Sequence, residues 1–211
     1  MGFYYKRNLP HYQPAGAEYW ITMRLKGSLP RHLLEQFDKQ YAYERNKRQS
    51  KAGKRAYERK KRRYIHRLLD EGNHGPTWLT RPEIAENVIA ALHYRDEKEY
   101  ELYAYTVMSN HLHLVFQHRS EKLTFNRSEK DYPVTEILGN FKRYTSRQAN
   151  KILGRTGAFW QHESYDHVIR NAVELERIIL YTLNNPVHVN LVSRWQDWPY
   201  SYCKPEWAKY F

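Results

Sequence analysis

The order strand, helix, strand, strand, helix, strand along this chain predicts an α+β fold, with a ferredoxin-like split βαβ core around a central antiparallel sheet. Three observations carry that expectation. Residues 18–25 alternate, with Tyr19, Ile21, Met23 and Leu25 on one side and Trp20, Thr22 and Arg24 on the other. Two strand-like runs, Tyr100 to Met108 and His111 to Gln117, are separated only by Ser109-Asn110. Two segments with helical spacing, near 80–95 and 134–153, follow the first and third strands. A basic helical insertion and an extra C-terminal helix complete the predicted architecture. At 211 residues and 41% apolar content, the chain 1–211 reads as a single domain.

Residues 1–16 are basic, aromatic and proline-bearing, and read as an extended arm or ordered loop rather than a core element. After the first strand, Gly27-Ser28-Leu29-Pro30 breaks the chain, and Arg31 to about Glu71 looks helical. Residues 36–67 form the basic insertion, with thirteen Lys/Arg against three Asp/Glu. Its middle has little apolar periodicity, which fits a solvated helical hairpin or a loop that orders on binding. Arg59, Lys60, Lys61, Arg62 and Arg63 are its densest charge and read as a grip on phosphates, against the plainer reading of a charged solvent face.

Gly72 and Gly75-Pro76 close that segment, and Thr80-Arg81-Pro82-Glu83 predicts a helix start with Thr80 as N-cap and Glu83 completing a capping box. Ile84, Val88, Ala91 and Leu92 give that helix one apolar face. Residues 118–132 read as a polar loop. The next helix runs from about Val134 to Leu153 and stops at Gly154. Phe159 to Ile169 reads as a fourth strand, and Asn171 with Glu174 caps a last helix that ends at Asn185-Pro186. The tail, residues 195–211, carries three Trp and three Tyr without a clear period. No internal repeat is visible.

The formal charge of +12 and a pI near 9.6 call for a polyanionic partner. Nucleic acid is the natural one; an acidic membrane surface, or solubility alone, is the duller alternative. Nineteen Tyr and six Trp supply rings on which bases stack. The lone Cys203 excludes an intramolecular disulfide framework and a Cys-based zinc finger. No apolar run approaches the roughly 20 residues of a membrane span. The expectation is a soluble, cytoplasmic protein, on the nucleoid when bound to DNA.

The chemistry centres on His111 and His113. One residue apart on a strand, they point to one face and can share a divalent metal ion. Eleven histidines make such spacing weak by itself. On the following helix, Tyr144 and Gln148 stand i, i+4 on one face, so a phenol lies beside an amide oxygen able to ligate. Lys142, Arg143 and Arg147 flank Tyr144 and can hold a phosphodiester or favour phenolate. Periodicity alone favours Tyr144 as a packing aromatic at the border of the seam formed by Phe141, Thr145 and Ile152.

Val107 to Phe116, with the paired histidines after Asn110, resembles the HUH signature of IS200/IS605-like single-tyrosine transposases. Asn8-Leu9-Pro10-His11-Tyr12, Gly75-Pro76-Thr77-Trp78-Leu79, Pro82-Glu83-Ile84-Ala85, Phe141 to Arg147, Phe159-Trp160-Gln161 and Asn184-Asn185-Pro186-Val187 occur in the order seen in REP-associated tyrosine transposases. The resemblance covers most of residues 8–202. It implies that His111 and His113 bind Mg²⁺ or Mn²⁺, with Gln148 as third ligand, or Asn150 or a water in its place. It also implies that Tyr144 attacks single-stranded DNA to leave a 5′-phosphotyrosine link and a free 3′-hydroxyl, on hairpins of repetitive extragenic palindromes. Ser109 stands where proline is usual, and the basic segment is longer than the family leads one to expect. The protein would act as monomer or homodimer. Two other readings remain: a non-catalytic, sequence-specific hairpin-binding protein of the same fold, and a zinc hydrolase using the His-x-His pair.

Overall fold

A computed structural model describes residues 2–6, 10–14, 16–41, 51–72, 74–119 and 133–211. Two strands open it, β1 (Gly2–Lys6) and β2 (Pro10–Pro14), paired antiparallel in a small sheet of their own. The first core strand is β3 (Glu18–Arg24), followed by α1 (Arg31–Gln40) and the basic helix α2 (Lys51–Asp70). Next come α3 (Pro82–Arg95), β4 (Tyr100–Val107), β5 (His111–His118) and α4 (Pro133–Ile152). The chain ends with β6 (Tyr165–Val168), α5 (Ala172–Leu183), α6 (Asn185–His188), β7 (Ser201–Cys203) and α7 (Pro205–Ala208). The predicted loop 118–132 lies outside the described residues from 120 onward, as do 42–50 within the basic insertion.

Among the described residues the main sheet has five antiparallel strands in the order β6-β3-β5-β4-β7. Its first four positions are the split βαβ order, with β3 and β5 inside. The aromatic tail supplies β7 at the edge and lays Trp207 beside Tyr103. The histidine strand is therefore paired on both sides over its whole length, from Arg24↔His111 to Glu18↔Gln117 on one flank.

Helices cover both faces of the sheet. The reason lies in β5, where Leu112, Leu114 and Phe116 on one face and His111, His113 and Val115 on the other are all buried. A strand buried on both faces needs a layer on each. Leu112, Leu114 and Phe116 join Tyr19, Ile21, Met23 and Leu25 against Ile84, Val88 and Leu92 of α3 and Val134, Ile137 and Phe141 of α4. Each such fully buried side chain contributes about 1.5–3 kcal/mol. On the opposite face Trp20 and Val115 pack on Leu175, Ile178 and Ile179 of α5. There Trp20 also meets His66 of α2 edge-on, with ring centroids 5.2 Å apart.

Two local expectations change. Thr80 does not cap α3: its hydroxyl donates to Thr77 O at 2.8 Å inside a short 3-10 turn, and Arg81 takes the N-cap position without a side-chain bond. The fourth strand shortens to 165–168. Lys142 Nζ donates to Gln161 O and His162 O at 2.9 and 3.0 Å, so those carbonyls are turned toward α4 and away from a ladder. Asn171 does cap α5, accepting from Glu174 N at 2.9 Å, while Glu174 Oε2 accepts from Arg170 N at 2.9 Å.

Candidate metal centre

β5 starts immediately after the Ser109-Asn110 turn, which Leu25 N and Leu79 N clamp through Asn110 O and Ser109 O at 2.8 and 3.2 Å. His111 and His113 emerge from it fully buried, their Nε2 atoms facing each other at 3.2 Å. Asn110 Oδ1 lies 2.7 Å from His111 Nδ1; accepting there, it puts the imidazole proton on Nδ1 and leaves the Nε2 lone pair inward. Thr22 Oγ1, 3.0 Å from His113 Nδ1, can accept or donate. When it accepts, both histidines present lone pairs to the same point. Two such lone pairs repel unless a cation sits between them.

The third group there is Asp70, the last residue of α2. Its Oδ1 lies 3.5 Å from His111 Nε2 and has no hydrogen-bond partner among the described residues, although the atom is buried. One ligand atom each from Asp70, His111 and His113 falls within 4.8 Å of the others. Leu68 and Leu69, buried against Leu29, anchor the last turn of α2 and turn Asp70 inward. Asn185, wholly buried at the start of α6, leans on Asp70 and on the Tyr181 hydroxyl, yet neither atom of its amide group completes a hydrogen bond. Orphaned oxygens on Asp70 and Asn185 beside facing imidazole nitrogens are what a site built for a divalent ion presents, so the residues fit the metal the motif implies.

The electrostatics agree. Burial, and then repulsion from His66, holds His111 down at about 3; His113 is also well below its usual value, through burial, His111 and His66. Burial and the Arg62 charge bring His66 to about 4. These imidazoles are neutral at physiological pH, the form that ligates a metal. Burial lifts Asp70 to about 6, against a smaller opposing effect from Asn185.

A phenol is present too. Tyr181 of α5 packs its ring against His113, with centroids 5.8 Å apart, and its hydroxyl lies 3.4 Å from His66 Nδ1. Burial, and then the Asp70 carboxylate, raises its pKa above the usual phenol value. Tyr144 stands elsewhere. It is 46% exposed on α4, and the apolar side of that helix packs on the sheet face opposite the histidines. Gln148 is on the same helix, so the third ligand group that the structure brings to His111 and His113 is Asp70, not Gln148. Asn150 is also on α4 and donates to Gly157 O.

The basic candidates divide between the two faces. Lys142 is held by its two carbonyls, Arg143 donates to Asn140 Oδ1 at 2.8 Å and Arg147 is exposed, all on α4. On α2, Arg59 is exposed, Lys60 lies over the Tyr41 ring at 3.7 Å and Lys61 pairs with Asp38 at 2.8 Å. Arg62 covers the Tyr165 ring at 4.7 Å. Arg62 and Arg63 also line a cleft of about 560 Å³ that runs along α2, α5 and α6 beside Asp70 and Tyr181.

Sequence reasoning passed over Asp70, His66, Tyr181 and Asn185. The available signal was two i, i+4 pairs, His66 with Asp70 and Tyr181 with Asn185, the second ending inside the Asn184-Asn185-Pro186-Val187 stretch already singled out.

Comparison with known proteins gives a coherent but partial picture. No protein-family model matches the chain. A Haemophilus influenzae protein named as a putative REP-associated tyrosine transposase is 26% identical over 107 residues, which cover 48% of this chain and 58% of that relative. A solved structure of a REP-associated tyrosine transposase bound to a REP hairpin superposes with a TM-score of 0.49 at 16% identity, over 93% of this chain and 82% of that one. The resemblance read from the motifs is thus shared with a named sequence relative that this chain matches over little more than half its length.

Proposed function

We propose that this chain is a REP-associated tyrosine transposase: a metal-dependent single-strand DNA endonuclease and strand transferase that acts on palindromic repeat hairpins in DNA transposition. The observation that carries this reading is a phenol, Tyr181, packed against His113 of a buried Asp-His-His group in a strongly basic protein. The named relative supports the substrate class. With no helix long and apolar enough to cross a membrane among the described residues, a DNA-bound location in the cytoplasm fits the reading.

His111, His113 and Asp70 would hold Mg²⁺ or Mn²⁺, with Asn185 beside them. A divalent ion there supplies Lewis acidity to a phosphodiester oxygen and positive charge near the phenol. The chain's own residues do the rest. Tyr181 attacks the phosphorus, the bond from phosphorus to the 3′-oxygen breaks, and a 5′-phosphotyrosine bond forms. The phenol proton leaves as the 3′-oxygen gains one, so bonds and protons balance. Bond energy stays in the covalent link, and the reverse attack by a 3′-hydroxyl rejoins strands without a nucleotide cofactor. Burial, and then the Asp70 charge until it is offset, keeps Tyr181 protonated and unreactive.

Tyr144, which the motif resemblance put in this role, would need a second copy of the chain or a large movement of α4 to meet the histidines. Incubation with hairpin single-stranded DNA and Mn²⁺ decides between them. A denaturation-resistant adduct is expected from wild type and from Tyr144→Phe, and none from Tyr181→Phe. An adduct lost only in Tyr144→Phe would restore the first assignment, by an exchange between protomers if the protein proves dimeric. Hairpin binding without an adduct in any divalent metal would favour a binding protein of this fold instead.

A further inference from the structure

The cleft beside the metal centre has features that the chemistry at Tyr181 does not use. Arg62, Arg63 and Arg67 line it from α2, and Arg177 faces them from α5. Ile178, Trp20 and the Tyr181 ring give the cleft apolar lining between these charges. Arg67 and Arg177 are the informative pair. Arg67 is 66% exposed and its carboxylate contact, to Glu71, is long at 3.7 Å; Arg177 is 76% exposed and reaches Glu174 at 3.7 Å. Exposed pairs at that distance hold weakly and exchange readily for a better anion. Among the described residues, the anions lining the cleft are Asp70, which faces the histidines, and Glu71, already opposite Arg67.

From this arrangement we infer that the cleft is the entry track for the substrate strand. Arg67 and Arg177 on opposite walls straddle successive phosphates, and one unstacked base lies against Ile178 and the Tyr181 ring. The inference rests on the transposase reading for the identity of the strand, and adds to it where the strand runs and which residues position it. A volume of about 560 Å³ is that of a small-ligand pocket and admits one or two nucleotides of single strand, not a duplex. The long basic segment thereby gains a role. The C-terminal half of helix α2 carries the phosphate track and Asp70 at its end, so the strand and the metal are held by one helix.

The test uses the full chain and a 12-nucleotide DNA single strand in EDTA, where no cleavage occurs. Arg67→Gln/Arg177→Gln should weaken binding about tenfold and flatten the salt dependence by about 1.4 in log–log slope, the share of two single-strand phosphates. Arg31→Gln/Arg194→Gln, on exposed arginines outside the cleft, should leave both unchanged, as should either pair for a blunt duplex of the same sequence. Equal affinity and slope in wild type and Arg67→Gln/Arg177→Gln would overturn the track. If that variant is impaired but wild type forms no adduct with Mn²⁺, the track stands and the nuclease reading fails. If wild type forms the adduct and the variant matches it in binding, the nuclease reading stands and the track fails.

Discussion

Asp70 Oδ1 lies 3.5 Å from His111 Nε2 with no proton donor of its own among the described residues, a close approach of two buried electron-rich atoms at the floor of the cleft. A divalent cation between them turns that repulsion into ligation. Mn²⁺ should therefore stabilise the native state by mass action, about 2.7 kcal/mol at a hundredfold excess over its dissociation constant. Thermal unfolding with and without Mn²⁺ measures this. The gain should vanish in His113→Ala, and a gain that survives would place the metal elsewhere.

The same carboxylate gives a pH dependence with a definite sign. Burial raises Asp70 to about 6 from 3.8, so in the metal-free protein its charged form is disfavoured by folding. Its contribution is neutral below about pH 3, where both states are protonated, and becomes destabilising as pH rises from about 4 through 6. In EDTA, Asp70→Asn should match wild type near pH 3 and exceed it by roughly 2–3 kcal/mol at pH 7 by urea unfolding. Saturating Mn²⁺ should reverse the order. An Asp70→Asn advantage that does not change with pH would show that the carboxylate is not strained by burial.

Two glycines separate a necessary glycine from a tolerated one. At Gly75, φ is +69° and a Cβ would lie 2.2 Å from Gly27 O, because this loop crosses the turn after β3 at backbone contact. Gly75→Ala must move one of two chains that position the Ser109-Asn110 turn, at a cost of about 3 kcal/mol or more. Gly139, inside α4, would place a Cβ in open space. Gly139→Ala should stabilise by about 0.5–1 kcal/mol through helix propensity. Chemical denaturation of both variants checks the opposite signs.

These cases mark how far the sequence carried. Strand alternation in residues 19–25, the tight turn at Ser109-Asn110 and the Asn171 cap are local features, and each is legible from a few adjacent residues. The histidine pair is legible for the same reason: a period of two fixes both side chains on one face. Which face the tyrosine helix would cover is a tertiary fact. Tyr144 has basic neighbours and the right spacing to Gln148, but α4 returns over the Leu112–Leu114 face, and α5 with Tyr181 takes the histidine face. Asp70 was hidden differently, as one of two adjacent acids, with Glu71, at the end of a segment whose charge drew attention to its arginines.

Thr145 links the core under α4 to the strand end that follows it, and its loss should be measurable. It is fully buried; its Oγ1 accepts from Trp160 Nε1 at 2.8 Å and donates to Phe141 O at 2.9 Å. Trp160 in turn bridges Leu25 at the end of β3. Thr145→Val keeps the shape but leaves the indole N–H without an acceptor in an apolar surrounding, at a cost of about 1–3 kcal/mol. Trp160→Phe removes the donor and some ring volume. In the double variant no orphaned donor remains, so the combined loss should fall short of the sum of the singles by about 1 kcal/mol or more. Urea unfolding of the four proteins gives that coupling directly; additive losses would mean the hydrogen bond contributes nothing beyond packing.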